Sequence, residues 1–323
     1  MKKTALLLAM ITKFADPDLC AQDNAGHFIE KTIAVERGNC RLEGSLLAVP
    51  GTSVNQPLAI LIAGSGPTDR NGNSPAGVSS DAYKLIAEAL AKAGISSFRY
   101  DKRGVAKSKP PHFTENGLVF DDYINDAIRF IDYLRDSAGF RDIYLVGHSE
   151  GSLIGMVAAT RRPVKGYISL SGAGRPIDIV IREQVEKQPD YVKKAIDSIF
   201  GILKENRTVD SVPPYLYSLF RPSIQPYMIS WLKYNPVEEI KKLSIPALIL
   251  QGSCDVQVGI GDAENLHRAY PAARLDIIPG MTHTLKDAGG DCRDDNKKTY
   301  TDPTLPLNTR LVKDLVSFIR EKK

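Results

Sequence analysis

The chain has 323 residues, 43% hydrophobic, 25% charged and 7% aromatic, which is the make-up of a folded globular protein. Its length allows one large α/β domain or two small ones, and its composition excludes collagen-like, disordered and membrane-spanning classes. The formal charge of +4 is spread along the chain rather than gathered into a stripe, which argues against nucleic acid as a partner.

Lys2 and Lys3 precede an apolar run at residues 4–11 (TALLLAMI) that is too short to span a bilayer. We read residues 1–21 as a secretory signal segment ending near Leu19-Cys20-Ala21. The alternative is an N-terminal helix of the mature fold. Export predicts a periplasmic or secreted protein with no stable membrane insertion. It removes Cys20 and leaves Cys40, Cys254 and Cys292, an odd number. A bridge between Cys254 and Cys292 is open to the chain in an oxidising compartment, although sequence does not fix it. No cysteine has the spacing of a zinc site, so no metal or cofactor is expected.

Beyond this segment, apolar runs alternate with helical periods. Residues 30–36 and 41–48 read as a strand hairpin, and 58–63 (LAILIA) as a strand buried on both faces. A helix follows over 81–93, stopped by Gly94, then a strand over 95–100. Ile124, Ala127, Ile128, Ile131 and Leu134 share one face of the next helix. Strands at 143–146, 166–170, 247–250 and 275–278, with helices at 152–160 and 311–319, complete the series. Such alternation predicts parallel βαβ units in a doubly wound sheet flanked by helices. Between 173 and 240 no strand is legible, whereas helical segments, prolines at 213, 214, 222 and 226 and many aromatics are. We read 173–240 as a helical cap, with the core formed by 22–172 and 241–323. A few of its aromatics, among Tyr215, Tyr217, Phe220, Tyr227, Trp231 and Tyr234, are candidates to line a pocket.

The candidate chemistry starts at Gly147-His148-Ser149-Glu150-Gly151, a G-x-S-x-G pentapeptide between a buried strand and a helix. That setting is the one a nucleophile elbow requires. The turn needs neighbours without Cβ atoms, and it sets Ser149 at a helix N-terminus, where the dipole favours negative charge. A serine hydroxyl needs a base to take its proton. Of the five histidines, His27 precedes the first strand, His112 sits in a Pro-rich loop, His148 is inside the elbow and His267 falls in a helix. His283 follows the last strand, at the sheet end where α/β folds assemble their sites, and is the base. Asp255, just after the strand ALIL, is the acid that orients it, whereas Asp262 at a helix start reads as an N-terminal cap. Backbone N–H groups of Glu150 and of Ser65, in the Gly-rich loop 64–72, are the candidate oxyanion donors.

Five stretches, GSGPTDRNG (64–72), RYDKRGVAKS (99–108), GHSEG (147–151), QGSCDVQV (251–258) and GMTH (280–283), together resemble the α/β-hydrolase superfamily. Within it the chain is similar to bacterial serine carboxylesterases that carry a helical cap. The resemblance implies Ser149, Asp255 and His283 as the triad. It implies that Asp101-Lys102-Arg103-Gly104 with Ser108 is structural. It further implies a small-molecule ester substrate of short to medium acyl chain, and leaves the oligomeric state open. Cys254, immediately before the acid, departs from the family's pattern. Alternatives on the same triad are acyl-peptide or amide hydrolysis and sugar-ester deacetylation, and a non-catalytic binding protein on the same scaffold is a further one.

Overall fold

The computed structural model describes residues 22–24, 28–37, 40–50, 56–110, 112–290, 292 and 296–321. Residues 1–21, read from sequence as a signal segment, with Cys20 among them, and His27 lie outside the described residues. In chain order the elements begin with strands β1 (Gln22–Asn24), β2 (Phe28–Arg37), β3 (Cys40–Ala48) and β4 (Leu58–Ile62), and a short hairpin of β5 (Asn73–Ser74) and β6 (Val78–Ser79). Helix α1 (Ala82–Lys92), β7 (Ser96–Tyr100), α2 (Phe120–Asp136), β8 (Ile143–His148), α3 (Glu150–Arg161) and β9 (Gly166–Leu170) follow. Five helices come next without a strand: α4 (Ile177–Gln184), α5 (Asp190–Lys204), α6 (Tyr217–Phe220), α7 (Gln225–Trp231) and α8 (Pro236–Ile240). The chain closes with β10 (Ala247–Gly252), α9 (Ile260–Ala269), β11 (Arg274–Ile278), α10 (Asn296–Thr301) and α11 (Thr309–Arg320).

Among the described residues, nine strands form one sheet in the order β1-β2-β3-β7-β4-β8-β9-β10-β11. The first three strands and the β3–β7 pair are antiparallel, and every pairing from β7 to β11 is parallel. The continuous apolar run of β4 explains its central place. Leu58, Ile60 and Ile62 face one core with Phe98, Phe130 and Leu145, while Ala59 and Leu61 face the other with Ile86, Leu90 and Leu315. The period of two along a strand sends alternate residues to opposite faces, so helices must cover both.

The chain leaves β4 towards β7 on one side and returns to β8 on the other. Such a reversal opens a crevice at the carboxyl ends of the strands. Register then places the loops: Ile62 pairs with Gly147, and Gly252 with Ile278. The loop after β4 therefore lies beside the turn after β8, and the turn after β10 beside the loop after β11.

The α4–α8 segment has its own apolar cluster, with Ile196, Phe200, Leu203, Leu216 and Phe220 at its centre. It is tied to the rest of the molecule at several points, including Arg221 and Ser223 to Glu115 and Tyr234 to Asp121. The Phe120 N–H donates to Ser230 Oγ (2.6 Å), and the Phe120 and Trp231 rings stack at 5.3 Å. At the other end, fully buried Asp262 accepts from the Gly174 N–H (3.0 Å) and from Arg175 (2.6 and 2.8 Å). Asp262 therefore does not cap α9, as its position in sequence suggested; Gly259 occupies the N-cap. Its carboxylate holds the entry to the insertion.

Cys254, in the turn after β10, is bonded to Cys292, with Cα atoms 4.9 Å apart and 38 residues between them in sequence. Asn296 Nδ2 donates to the carbonyls of both cysteines (2.8 and 3.0 Å). A cross-link over this separation stabilises by about 3–4 kcal/mol through the unfolded chain. The double variant Cys254→Ser/Cys292→Ser should lose stability of about that size in urea denaturation. An unmoved midpoint would show that the bridge contributes nothing.

Candidate active site

Ser149 sits between β8 and α3 with φ 53° and ψ −121°, a backbone conformation that costs a side-chain-bearing residue about 1–3 kcal/mol. Its neighbours explain how it is held. A Cβ on Gly147 would overlap the Gly151 carbonyl, and one on Gly151 would overlap the Ile62 carbonyl at the end of β4. Strand and helix meet too closely for any side chain there. The Ser149 N–H donates to Leu170 O of β9 (2.9 Å), which fixes the turn from the other side.

Asp255 and His283 come from the adjacent ends of β10 and β11. His283 Nδ1 donates to Asp255 Oδ2 at 2.8 Å, and both side chains are buried. The other carboxylate oxygen accepts from the N–H groups of Gln257 (2.8 Å) and Val258 (2.9 Å). Burial alone would push the Asp255 pKa up. The nearby His283 and these two N–H donors outweigh it and hold the carboxyl below its ordinary value. With Nδ1–H engaged, Nε2 is the nitrogen free to take a proton. Ser149 and His283 line the same small cavity.

Three residues that sequence reasoning did not place in the site complete it. The Gly64 N–H donates to Tyr83 OH (3.0 Å), Tyr83 OH donates to His148 Nδ1 (2.7 Å), and His148 Nε2 donates to the His283 carbonyl (2.8 Å). The carbonyl can only accept, which sets the His148 tautomer and leaves Nδ1 as the acceptor. Burial, reinforced by His283, lowers the His148 pKa to about 3, so the ring stays neutral and passes one bond in and one out. This buried chain ties the loop after β4 to the loop that carries His283. The third residue is Lys102, whose Nζ donates to Gly64 O (2.5 Å) and to Glu150 Oε1 (3.3 Å). Sequence marked His148 only as part of the elbow and Lys102 only as part of a stretch that the resemblance implies is structural, and nothing marked Tyr83.

The other members of the 101–108 stretch behave as struts. Asp101 accepts from the Arg70 N–H and side chain (2.8 and 2.7 Å), Arg103 pairs with Asp126 (2.5 Å), and Ser108 Oγ accepts from the Glu43 N–H (2.9 Å). His112, His267 and Asp276 are not among the residues lining the site, and Asp276 pairs with Arg310.

Two cavities meet at Ser149, Ser65, Gly66 and Pro67. The larger, about 650 Å³, is walled mainly by apolar side chains from α3 and the inserted helices, including Leu153, Val180, Ile181, Met228 and Trp231. Of the aromatics singled out in 173–240, Tyr227 and Trp231 line it, whereas Phe220 is in the insertion's own core and Tyr215 and Tyr217 are exposed. The smaller, about 210 Å³, is lined by residues that include Thr68, Ser80, His283, Thr284 and Tyr300. Among the described residues, no cluster of three or more His, Cys, Asp or Glu is set to hold a metal ion, and no helix is long and apolar enough to cross a membrane.

Ionised Asp255 stabilises the fold above the pKa of an unfolded aspartate, about 3.9, and loses that contribution as pH falls through its lower folded value. Asp255→Asn should therefore flatten the acid limb of the stability–pH curve below about pH 4. An acid limb identical to wild type, followed by circular dichroism, would contradict this account of the carboxylate.

A family model described as serine aminopeptidase, S33, matches residues 76–214. Esterase EstD of Thermotoga maritima is 28% identical over 256 residues, covering 78% of this chain and 58% of that protein. The human serine hydrolase BPHL is 24% identical over 202 residues, covering 58% of this chain and 62% of that protein. The chain thus spans less than two thirds of the length of either relative. Among solved structures, Est1E of Butyrivibrio proteoclasticus with ferulic acid bound aligns over 90% of this chain and 100% of its own, with a TM-score of 0.60 and 21% identity. The Pyrococcus furiosus esterase PF2001 aligns over 91% of both chains, with a TM-score of 0.58 and 16% identity. At such identities a shared structure speaks for architecture alone, and that architecture is the α/β-hydrolase fold.

Proposed function

We propose that the protein is a serine carboxylesterase that hydrolyses esters of short to medium acyl chain through an acyl-serine intermediate. The observation that carries this reading is the Asp255–His283 pair opening onto the cavity of a strained Ser149. Ser149 Oγ attacks the ester carbonyl as its proton passes to His283 Nε2, and Asp255 stabilises the imidazolium. The N–H groups of Ser65 and Glu150 receive the negative charge on the carbonyl oxygen. His283 then returns the proton to the departing alkoxide, leaving the acyl group on Ser149. Water activated by the same imidazole releases the carboxylic acid.

The two cavities orient the substrate. The departing oxygen must reach the His283 imidazole, and His283 lines the smaller cavity and not the larger one. The alcohol is therefore assigned to the smaller cavity and the acyl chain to the larger, apolar chamber beneath the helical cap, whose volume is that of a small-ligand pocket. Export to the periplasm or beyond fits the Cys254–Cys292 bridge, since disulfides persist in oxidising compartments.

The family description favours a second reading, cleavage of peptides at a free amino terminus. That chemistry needs a carboxylate free to receive an ammonium. The two carboxylates that line the large chamber are both engaged by cations: Glu115 by Arg221 at 2.6 Å, and Glu150 by Lys102 at 3.3 Å. Ester hydrolysis is the better fit.

A fluorophosphonate probe should label wild type covalently and leave Ser149→Ala unlabelled. Labelling of the variant would remove Ser149 from the mechanism. Methyl octanoate should be hydrolysed with a kcat/KM at least about 10-fold above that of octyl acetate, because only the former puts its chain in the apolar chamber. The reverse order would invert the assignment of the cavities. Aminoacyl anilides should be the poorest substrates in the same assay.

A further inference from the structure

Lys102 is only 2% exposed, a costly position for an ammonium unless every contact serves it. Its flanking residues have other partners, Asp101 bonding to Arg70 and Arg103 to Asp126. Lys102 bonds within the site. Its Nζ donates to Gly64 O at 2.5 Å, lies 3.3 Å from Glu150 Oε1 and stands 5.0 Å over the Tyr123 ring. These partners are specific. Gly64 O belongs to the same peptide group as the Ser65 N–H, and Glu150 carries the other candidate oxyanion donor.

We propose that Lys102 is a positioning residue for the oxyanion hole, its ammonium fixing the peptide that carries the Ser65 N–H, with the Glu150 carboxylate as its counter-charge. The proposal rests on the esterase reading. The described chain has no cis peptide bond, and in a trans peptide the N–H points opposite to the C=O. An ammonium anchored on Gly64 O therefore holds the Ser65 N–H facing away from it. A cation on the carbonyl also polarises the amide, which makes its N–H a stronger donor. On the other side of the hole, the Glu150 side chain is buried in the first turn of α3. Left unpaired, its charge would oppose the one that develops on the substrate oxygen. Lys102 cancels it.

The variants Lys102→Met and Lys102→Met/Glu150→Gln separate this role from simple pairing of a buried charge. The double variant removes both charges, a change that buried ion pairs commonly tolerate. Losing a direct oxyanion donor costs about 10²–10³ in kcat, and loss of an indirect support should cost about 10- to 100-fold. We expect kcat to fall by that factor in both variants with KM within about threefold of wild type. Affinity for an alkylboronic acid, which forms a tetrahedral adduct on serine, should fall in step with kcat, while affinity for the product carboxylate should not. Recovery of wild-type kcat in the double variant would reduce Lys102 to a charge partner and overturn the proposal. So would a loss carried by KM, or failure of both variants to fold. Wild type is labelled with the fluorophosphonate in parallel. No label there sinks the esterase reading itself, whereas a labelled wild type beside unimpaired variants sinks only the role of Lys102.

Discussion

The contact between the end of β4 and the start of α3 leaves no room for a side chain, and the site is organised around that constraint. Gly151 lies against the Ile62 carbonyl, and Gly147 against the carbonyl of Gly151 itself. With both flanks closed, the intervening residue is driven to φ 53° and its side chain projects over the carboxyl end of the sheet. The same closeness brings the loop after β4 against Ser149: a Cβ on Gly64 would lie 3.2 Å from Ser149 Cβ. Strain at the serine and proximity of the loop that carries Ser65 are thus two results of one packing event.

A backbone forced into such a turn holds its shape only if its surroundings over-determine it. The surroundings here are buried and rich in polar bonds. Tyr83 and His148 relay from the Gly64 N–H to the His283 carbonyl, while Lys102 spans Gly64 O and Glu150. The loop after β4, the elbow and the histidine loop are therefore cross-tied by side chains, and the acid loop by the His283–Asp255 bond and the Cys254–Cys292 bridge. In a low-dielectric interior each of these bonds is strong, and each unmade one would be costly. The arrangement is rigid where charge develops.

The inserted helices follow a different logic. They have an apolar cluster of their own and meet the rest of the molecule through contacts that include a stacked ring pair, one buried hydroxyl and the Asp262–Arg175, Glu115–Arg221 and Asp121–Tyr234 pairs. Attachment of this kind lets the insertion shape the large chamber without contributing to the elbow. Under the esterase reading, acyl preference and reactivity are then set by separate parts of the fold, which fits the view that function lives in sites grafted on folds.

The sequence by itself determined what depends on neighbours along the chain. Alternation of apolar strands and amphipathic helices predicted the parallel sheet, and the glycines around Ser149 marked the elbow, because both patterns are read within a dozen residues. Asp255 and His283 were legible from their place after strands, and the structure brings them to 2.8 Å. What only the tertiary structure decided involves partners far apart in sequence. Tyr83 and His148 are 65 residues apart, Lys102 and Glu150 are 48, and Arg175 and Asp262 are 87. Asp262 shows the limit: a carboxylate near a helix start satisfies a local rule, yet its bonds go to a segment that the chain laid down before β10 existed. Likewise the cysteine spacing allowed the bridge to Cys292 without requiring it, since only the sheet's register sets the distance between the two loops.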